Sequence, residues 1–298
     1  MPVVASQNLQ KQWISFNGRL TPADLAALPQ EALVELADQA QRLPGLFQQV
    51  FPTARGVANR ELVLHELTAL ILRGDLGFGS TRESVIRKKL LELPTVRQAT
   101  RSEQKGPSRT PIREALGILA HDGLIRSQPQ VGWFVSEITP AQVREILTRR
   151  SEMEADAVAT LAGQASVEAR VGEAQRALAA GERATSPYEF MAADTDFHVA
   201  LAEAAGFVDT PSIIRVLRNK LHLFRSSHGE ITKDQAATVQ QEHERILNAV
   251  LSHDRDLAVS GLDGHMVATW SRLERIAAPA SDSASVKPAV REAVGAKG

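Results

Sequence analysis

Apolar residues recur at helical spacing along most of the segment from residue 60 to residue 277. In the stretch 61–73, leucines and one isoleucine form a broad apolar stripe on one helix face. The stretch 138–277 shows the same periodicity almost throughout. Aromatic residues make up only 4% of the chain, and only one of them is Tyr, a composition that favours helices over β-sandwiches and barrels. The pattern therefore predicts a mainly α-helical protein.

The size and composition of the chain limit its possible classes. Its 298 residues suffice for about two domains, and its 43% of hydrophobic residues suffices for a buried core. Cys is absent, which excludes a disulfide scaffold, a Cys-ligated zinc site and thiol catalysis. No apolar run approaches the roughly 20 residues of a membrane helix, and no secretory signal is visible. We therefore expect a cytoplasmic protein without membrane contact.

Positive charge is concentrated in one segment. Residues 81–113 carry nine basic and three acidic residues, a net charge of +6. Residues 138–277 carry 15 basic and 20 acidic residues, a net charge of −5, although the whole chain has a formal charge of only −1. Such asymmetry indicates nucleic-acid contact by the basic part. A solvated basic loop would explain the charge alone equally well.

The order of elements within 60–137 is that of a winged helix-turn-helix. The helix over 61–73 is followed by a second strong helix for which Ser108 is a good N-cap. Two short apolar β runs, 124–125 and 133–135, come next, and the polar link between them predicts a hairpin. We therefore predict a small DNA-binding unit that ends in a β wing.

The second helix carries the candidate DNA contacts. Arg109 and Arg113 lie four residues apart on one face of its first turns. This end of a recognition helix meets base edges in the major groove, where Arg reads guanine through two hydrogen bonds. Ser108 and Thr110 are suited to bind phosphates together with the helix N-terminus. For an isolated S-R-T-P tetrad, a cap followed by surface charges would be the better interpretation.

A candidate metal site is spread over the acidic half of the chain. Asp194 and His198 occupy positions i and i+4 of an amphipathic helix, a spacing that places two ligands on one face. His243 opens a later helical run, and His265 follows 22 residues on. One Asp with three His suits a divalent ion such as zinc or nickel. Taken singly, each His is more simply interpreted as a core or surface residue.

The run S-R-T-P-I-R-E-A-L from Ser108 closely resembles the recognition-helix signature of GntR-family bacterial transcription regulators. The resemblance extends back to 71–76 and forward to the wing at 126–135. It implies base and phosphate contacts by the recognition helix and further contacts by Gln130 and Gly132 of the wing. Because many members carry a basic residue just before this Gly, we expect weaker minor-groove reading by this wing.

One departure from the GntR pattern is an insertion. The segment between the first helix and the S-R-T-P helix, residues 77–107, is much longer here than in the family. The middle helix of the motif is hard to recognise within it, and 84–93 is the best candidate. Base contacts by Arg82 or Arg87 therefore stay open.

Residues 140–275 resemble the FCD ligand-binding domain of the FadR subfamily of GntR regulators. The shared motifs are R-x-x-M-E from Arg150, D-x-x-x-H from Asp194, E-H-x-x-I from Glu242, and the later His265. The resemblance implies that Asp194, His198, His243 and His265 hold a divalent metal inside a helical bundle. It also implies that Arg150 contacts an anionic effector. Arg225 is a weaker candidate for the same pocket.

These observations together predict an N-terminal winged helix-turn-helix domain at 60–137 and an all-helical ligand-binding bundle at 138–277. Residues 1–59 would form a partly helical extension of unknown role, and 278–298 a disordered tail. The expected function is that of a homodimeric regulator, a repressor as is commoner in the family, which binds a palindromic operator in double-stranded DNA and responds to a small carboxylate at the metal site.

Other functions remain open from the sequence. The protein could be a metal-dependent enzyme that acts on a small carboxylate, although no nucleophile elbow, phosphate loop or separate general base is visible. It could be a regulator whose metal is purely structural. It could also be an interaction protein that binds a partner through its N-terminal 60 residues.

Overall fold

The computed structural model of the protein describes residues 55–100 and 107–277. The predicted tail at 278–298 and nearly all of the predicted N-terminal extension lie outside these residues. The described part is mainly α-helical, as predicted, with one small β-sheet. None of its helices has both the length and the apolar character needed to cross a membrane.

The N-terminal unit has the order of a winged helix-turn-helix with one additional helix. Its elements are α1 (Arg55–Leu72), α2 (Glu83–Glu92), α3 (Pro94–Thr100), α4 (Arg109–His121), β1 (Ile125–Gln128) and β2 (Gly132–Val135). α1 packs against α4, and the apolar faces of both helices form the core through residues such as Leu67, Ile112 and Leu116. Gly74 ends α1 with a positive φ of 76°, a conformation that glycine adopts without strain.

The wing is a two-stranded antiparallel hairpin in which Ile125 pairs with Val135 and Gln128 with Gly132. The predicted link between the strands was too long, because residues 126–128 belong to β1. Thr81, which precedes α2, adds an antiparallel bridge to Trp133. Gly132 has φ +136°, and a Cβ there would lie 2.8 Å from the carbonyl oxygen of Thr81. Glycine is therefore required for this close approach of the two chain segments.

The predicted insertion contains regular structure. Both ends of α2 lie one residue earlier than those of the predicted middle helix, 84–93. The added helix is α3, whose Val96 is fully buried. The hydroxyl of Thr95 donates a hydrogen bond of 2.6 Å to Oε1 of Glu66 on α1. The start of the insertion is thus folded onto the core of the N-terminal unit.

The C-terminal unit is a bundle of α-helices. Its elements are α5 (Pro140–Ala162), α6 (Gly172–Arg183), α7 (Pro187–Ala205), α8 (Thr210–His228), α9 (Lys233–Leu251) and α10 (Arg255–Ala277), with a 3-10 helix over Val167–Ala169. Local sequence sets several of the boundaries. Thr139 and Gln142 form a capping box at the start of α5, with Pro140 at the first helical position. Gly206 ends α7 with φ +91°.

α7 lies in the middle of the bundle, and 13 of its 19 residues are buried. It packs against α5, α6 and α8, while α10 packs along α5 and α9. Two of these helices also touch the N-terminal unit. The Arg73 guanidinium lies 5.2 Å from the ring centroid of Tyr188 on α7, and the Lys220 ammonium on α8 lies beside Gly123.

Candidate functional site

Five helices of the bundle direct polar side chains into one buried site. The residues are Arg150 and Glu154 on α5, Asp194, Thr195 and His198 on α7, Arg218, His222 and Arg225 on α8, Glu242 and His243 on α9, and His265 and Arg272 on α10. Each lies on the inward face of its helix because the opposite face carries the solvated residues. Asp196, two residues from His198, is exposed and pairs with Arg215 at 2.9 Å, outside this site.

The four predicted metal ligands come together at the centre of this site. The Nε2 atoms of His198 and His243 are 3.1 Å apart. Oδ1 of Asp194 lies 3.3 Å from Nε2 of His243 and 3.7 Å from Nε2 of His198. One ring nitrogen each of His198, His243 and His265 lie within 4.8 Å of one another. Ligand atoms about 2 Å from a common ion lie roughly 3–3.5 Å apart, which is close to the separations among Asp194, His198 and His243, so the cluster is compatible with a metal.

Two further properties of Asp194 and the histidines support this fit. Oδ1 of Asp194 is buried and has no hydrogen-bond partner among the described residues, which leaves an anionic oxygen for a cation. Its other oxygen pairs with Arg218. Burial favours the neutral acid, but Arg218 and the neighbouring histidines outweigh it, and the pKa of Asp194 falls far below its usual range. The carboxylate is therefore ionised at neutral pH.

His198 and His243 are neutral at neutral pH. Burial, assisted by the charges of Arg218 and Arg150, lowers the pKa of His198 well below its usual value. Burial and the neighbouring His265 lower the pKa of His243 to about 3. A neutral imidazole has the free lone pair that metal coordination requires.

Two buried Arg–Glu–His chains orient the histidines. Arg150 donates to Glu154 from Nε at 2.7 Å, and Oε2 of Glu154 lies 2.5 Å from Nδ1 of His198, although at an angle outside hydrogen-bond geometry. In the second chain, Arg272 binds both oxygens of Glu242 at 2.8 Å, and Nδ1 of His265 donates to Glu242 at 2.7 Å.

In both chains the carboxylate lies at Nδ1 and leaves Nε2 directed elsewhere. A carboxylate at the outer nitrogen fixes the tautomer and raises the basicity of a metal-bound histidine. Two hydrogen bonds from Arg272 and one from His265 outweigh the burial of Glu242 and lower its pKa to about 2. Glu242 is therefore a carboxylate at any physiological pH.

The structure changes the expectation for Arg150. Arg150 and Glu154 are 1% and 3% exposed, so an ordinary surface ion pair is excluded. Arg150 is also engaged with Glu154, whereas Nη1 of Arg225 is buried and has no partner among the described residues. Both arginines line a cavity of about 20 Å³, together with Asp194, Arg218 and His265. Such a volume holds about one water molecule.

Sequence reasoning missed several members of the site. His222 is one of them: its Nε2 lies 3.2 Å from the Thr195 hydroxyl, to which Arg218 also donates a hydrogen bond. Arg272 and the contact of Arg218 with Asp194 were also missed. Helical spacing could have placed His222 with Arg218 and Arg225, because these three residues repeat at i, i+4 and i+7.

The second candidate site is the exposed surface of the N-terminal unit. Ser108, Arg109, Thr110 and Arg113 are all exposed at the start of α4. Ser108 occupies the N-cap position, but its side chain makes no capping hydrogen bond within the described residues. Arg113 donates from Nε to Oε2 of Glu83 at 3.0 Å. The start of α4 thus has the exposure that groove binding requires.

Gln130 and Gly132 lie in the wing but differ in environment. Gln130 is exposed at the turn, with φ +65°. Gly132 is partly buried against Thr81, so the structure gives it a packing role in addition to any contact with DNA.

Comparison with known proteins matches both halves of the chain. The family described as "Bacterial regulatory proteins, gntR family" matches residues 59–135, and the FCD domain matches residues 145–268. An HTH-type transcriptional regulator in an unstable DNA locus of Streptomyces ambofaciens is 30% identical over 212 residues, which cover 67% of this chain and 89% of the relative. The chain belongs to the GntR family of bacterial regulatory proteins. Its combination with an FCD domain fits the FadR subfamily.

Other similar proteins agree with the assignment of this chain to the GntR family. A probable D-xylose utilization operon transcriptional repressor of Paenarthrobacter nicotinovorans is 30% identical over 58% of this chain and 76% of its own length. The E. coli McbR/YncC structure has a TM-score of 0.58 at 18% identity and covers 73% of this chain and 97% of its own. The latter shows a shared fold. The predicted family and the predicted fold class are confirmed.

The buried state of His222 makes the stability of this GntR regulator depend on pH. Burial and then the charge of Arg218 lower the pKa of His222 to about 3, whereas an unfolded His titrates near 6.5. At a pH between these two pKa values, His222 is protonated in the unfolded chain but not in the folded protein. The His222 contribution is therefore complete above about pH 6.5 and is lost as the pH falls toward 3, by about 1.4 kcal/mol per pH unit.

We expect His222→Asn to reduce the slope of the free energy of unfolding against pH, measured by urea denaturation between pH 4 and 6, by about 1.4 kcal/mol per unit. His121→Asn, at an exposed position, is the matched control and should keep the wild-type slope. Equal slopes for wild type and His222→Asn would contradict this account.

Proposed function

We propose that the protein is a homodimeric, DNA-binding transcription regulator whose affinity for its operator responds to a small carboxylate bound at a metal site. The observation that carries the proposal is the presence, in one chain, of an exposed arginine-bearing recognition helix and a buried cluster of three His, with Asp194 beside two of them. Because the operator lies on the chromosome, the proposal includes a cytoplasmic location.

DNA binding would begin with the first turns of α4. Arg109 and Arg113 are exposed and read guanine in the major groove, while Ser108 and Thr110 bind phosphates. The basic residues of 81–113 supply the salt-dependent attraction to the DNA backbone. Two copies of the chain would present two such helices to a palindrome, because twofold symmetry of the protein is matched by twofold symmetry of the operator.

In the bundle, Asp194, His198, His243 and His265 would hold a divalent ion, with zinc or nickel best suited to three imidazoles. A bound ion supplies a Lewis acid that accepts anionic oxygens of a ligand. Glu242 holds the ring of His265 through a hydrogen bond, and Glu154 lies beside Nδ1 of His198.

The charge of the site favours an anionic effector. Among the described residues it contains three carboxylates and four guanidinium groups, namely Glu154, Asp194, Glu242, Arg150, Arg218, Arg225 and Arg272. The excess is positive, and a divalent ion would increase it. Arg225 offers its unpartnered Nη1 to a carboxylate, whereas Arg150 contributes by holding Glu154 and by lining the cavity.

The helices that bear the site also reach the DNA-binding unit. α7 carries Asp194 and His198 and contacts Arg73 through Tyr188. α8 carries Arg218 and Arg225 and approaches Gly123 through Lys220. A ligand that favours one arrangement of these helices would therefore change the position of the DNA-binding units and the affinity for the operator.

Repression is the proposed sign of regulation, and the name of the Paenarthrobacter relative supports it. A regulator with a purely structural metal is the second candidate, because the cavity beside the cluster has a volume of only about 20 Å³. An enzyme is disfavoured because it would leave the exposed recognition helix without a role.

Replacing Arg109 tests the DNA-binding surface. We expect Arg109→Ala to weaken binding to a selected operator duplex by about 1–3 kcal/mol and to relax the sequence preference, because base-edge contacts are lost. The operator would be obtained by selection from random duplexes with the full chain. Lys233→Ala, an exposed cation on the bundle, is the control. Equal preference of wild type and Arg109→Ala would exclude base reading by Arg109.

Removal of the imidazoles tests the metal site. The full chain, loaded with Zn²⁺ or Ni²⁺ and desalted, should retain stoichiometric metal by elemental analysis, and the triple variant His198→Ala, His243→Ala, His265→Ala should retain none. Glu242→Gln keeps the ligands and should weaken metal binding about 10–100-fold. His65→Ala with His121→Ala, both exposed, is the control. Full metal content in the triple variant would reject the site.

Arg225 tests the effector. With the metal-loaded protein, a panel of small mono-, di- and tricarboxylates should include one that raises the thermal unfolding midpoint and changes operator affinity. We expect Arg225→Gln to weaken this carboxylate roughly 10–100-fold with metal content unchanged, as for loss of a charged hydrogen bond. Unchanged carboxylate affinity would exclude Arg225, and a panel without any response would favour the structural metal.

A further inference from the structure

An acidic side chain lies on the proposed DNA-binding surface. Glu83 is the first residue of α2, in a segment rich in Lys and Arg. Its Oε2 accepts a hydrogen bond of 3.0 Å from Nε of Arg113, one turn into α4. The Glu83 side chain is 26% exposed, whereas that of Arg113 is 66% exposed. The carboxylate therefore lies against the protein and holds the base of a guanidinium group that projects outward.

A second contact joins the same two helices. Nε of Arg87, one turn further along α2, donates a hydrogen bond of 3.2 Å to the carbonyl oxygen of Pro107, just before α4. α2 thus binds both the backbone that leads into α4 and the guanidinium of Arg113. This matters here because α3 and residues 101–106 separate the two helices in sequence, so no short turn fixes their relative position.

We propose that Glu83 is a specificity-determining residue that positions Arg113 for base reading. The proposal rests on the proposed function, in which Arg113 enters the major groove. With Nε held by Glu83, the two terminal amino groups of Arg113 stay available for two hydrogen bonds to one guanine. Within the described residues, no comparable hydrogen bond or ion pair supports Arg109.

The electrostatic effect of Glu83 and its positioning effect have opposite signs. A carboxylate near DNA repels phosphates, so its removal should strengthen binding to DNA of any sequence. Without Glu83, the Arg113 side chain has more rotamers to lose on binding. Removal of Glu83 should therefore weaken base discrimination. Discrimination between sequences therefore separates positioning from simple charge.

The test compares Glu83→Ala with Glu92→Ala in the full-length protein. Glu92 is an exposed acid at the other end of α2, so the control removes the same charge from the same helix. An operator is first selected from random duplexes with the wild type. The affinity of each variant is then measured for this operator and for a scrambled duplex. Circular dichroism verifies folding, and Glu83→Gln, which keeps an acceptor oxygen, serves as a second variant.

We expect Glu83→Ala to lower the ratio of operator to scrambled affinity about fivefold or more, as for two groups of one hydrogen-bonded network. Affinity for scrambled DNA should stay equal or rise. Glu92→Ala should keep the wild-type ratio, and Glu83→Gln should fall between. In an Arg113→Ala background, Glu83→Ala should have no further effect on the ratio.

The positioning role would be overturned if Glu83→Ala and Glu83→Gln had the same ratio of operator to scrambled affinity as Glu92→Ala. An equal loss of ratio with and without Arg113 would overturn it as well. If the wild type selects no sequence, or if Arg113→Ala keeps the full ratio, the proposed base reading fails first. The separate failure of the two proposals is therefore visible in the same data.

Discussion

Compensation of buried charge is the constraint on which the helical domain depends. Burying an ionised group costs several kcal/mol unless opposite charges and hydrogen bonds surround it. Asp194 is surrounded by Arg218 and the histidines, and Glu242 by Arg272 and His265. These partners come from different helices, so the charges are compensated only when the bundle is correctly assembled. The polar site therefore selects one packing of the bundle in addition to supplying ligands.

This arrangement has a consequence for regulation. An ion or an anion that enters the site changes the partners of groups that already hold the helices together. α7 and α8 bear several of these groups and also contact the DNA-binding unit, through Tyr188 and Lys220. In the proposed regulation, a small rearrangement at the site would reach the recognition helices through these contacts, because packed cores respond to such changes by shifts of whole elements.

The DNA-binding unit uses the same kind of support on its surface. Contacts distant in sequence position the exposed groups: Thr81 bridges to the wing at Trp133, and Glu83 and Arg87 on α2 hold α4. In a chain where an added helix separates α2 from α4, side-chain contacts replace what a short turn provides. The accuracy of the exposed surface therefore depends on the packing beneath and beside it.

The sequence by itself determined the helices, their caps, the recognition helix and the four candidate ligands, because spacing, capping residues and short motifs are local properties. It placed Asp194 and His198 on one face by their separation of four residues. Only the tertiary structure decided that Arg150 holds Glu154, that Glu242 orients His265, that His222 belongs to the site and that Glu83 holds Arg113. Most of these pairs lie tens of residues apart, and Arg150–Glu154 is identified by its burial. No local period encodes which helix faces which, since that follows from packing of the whole core.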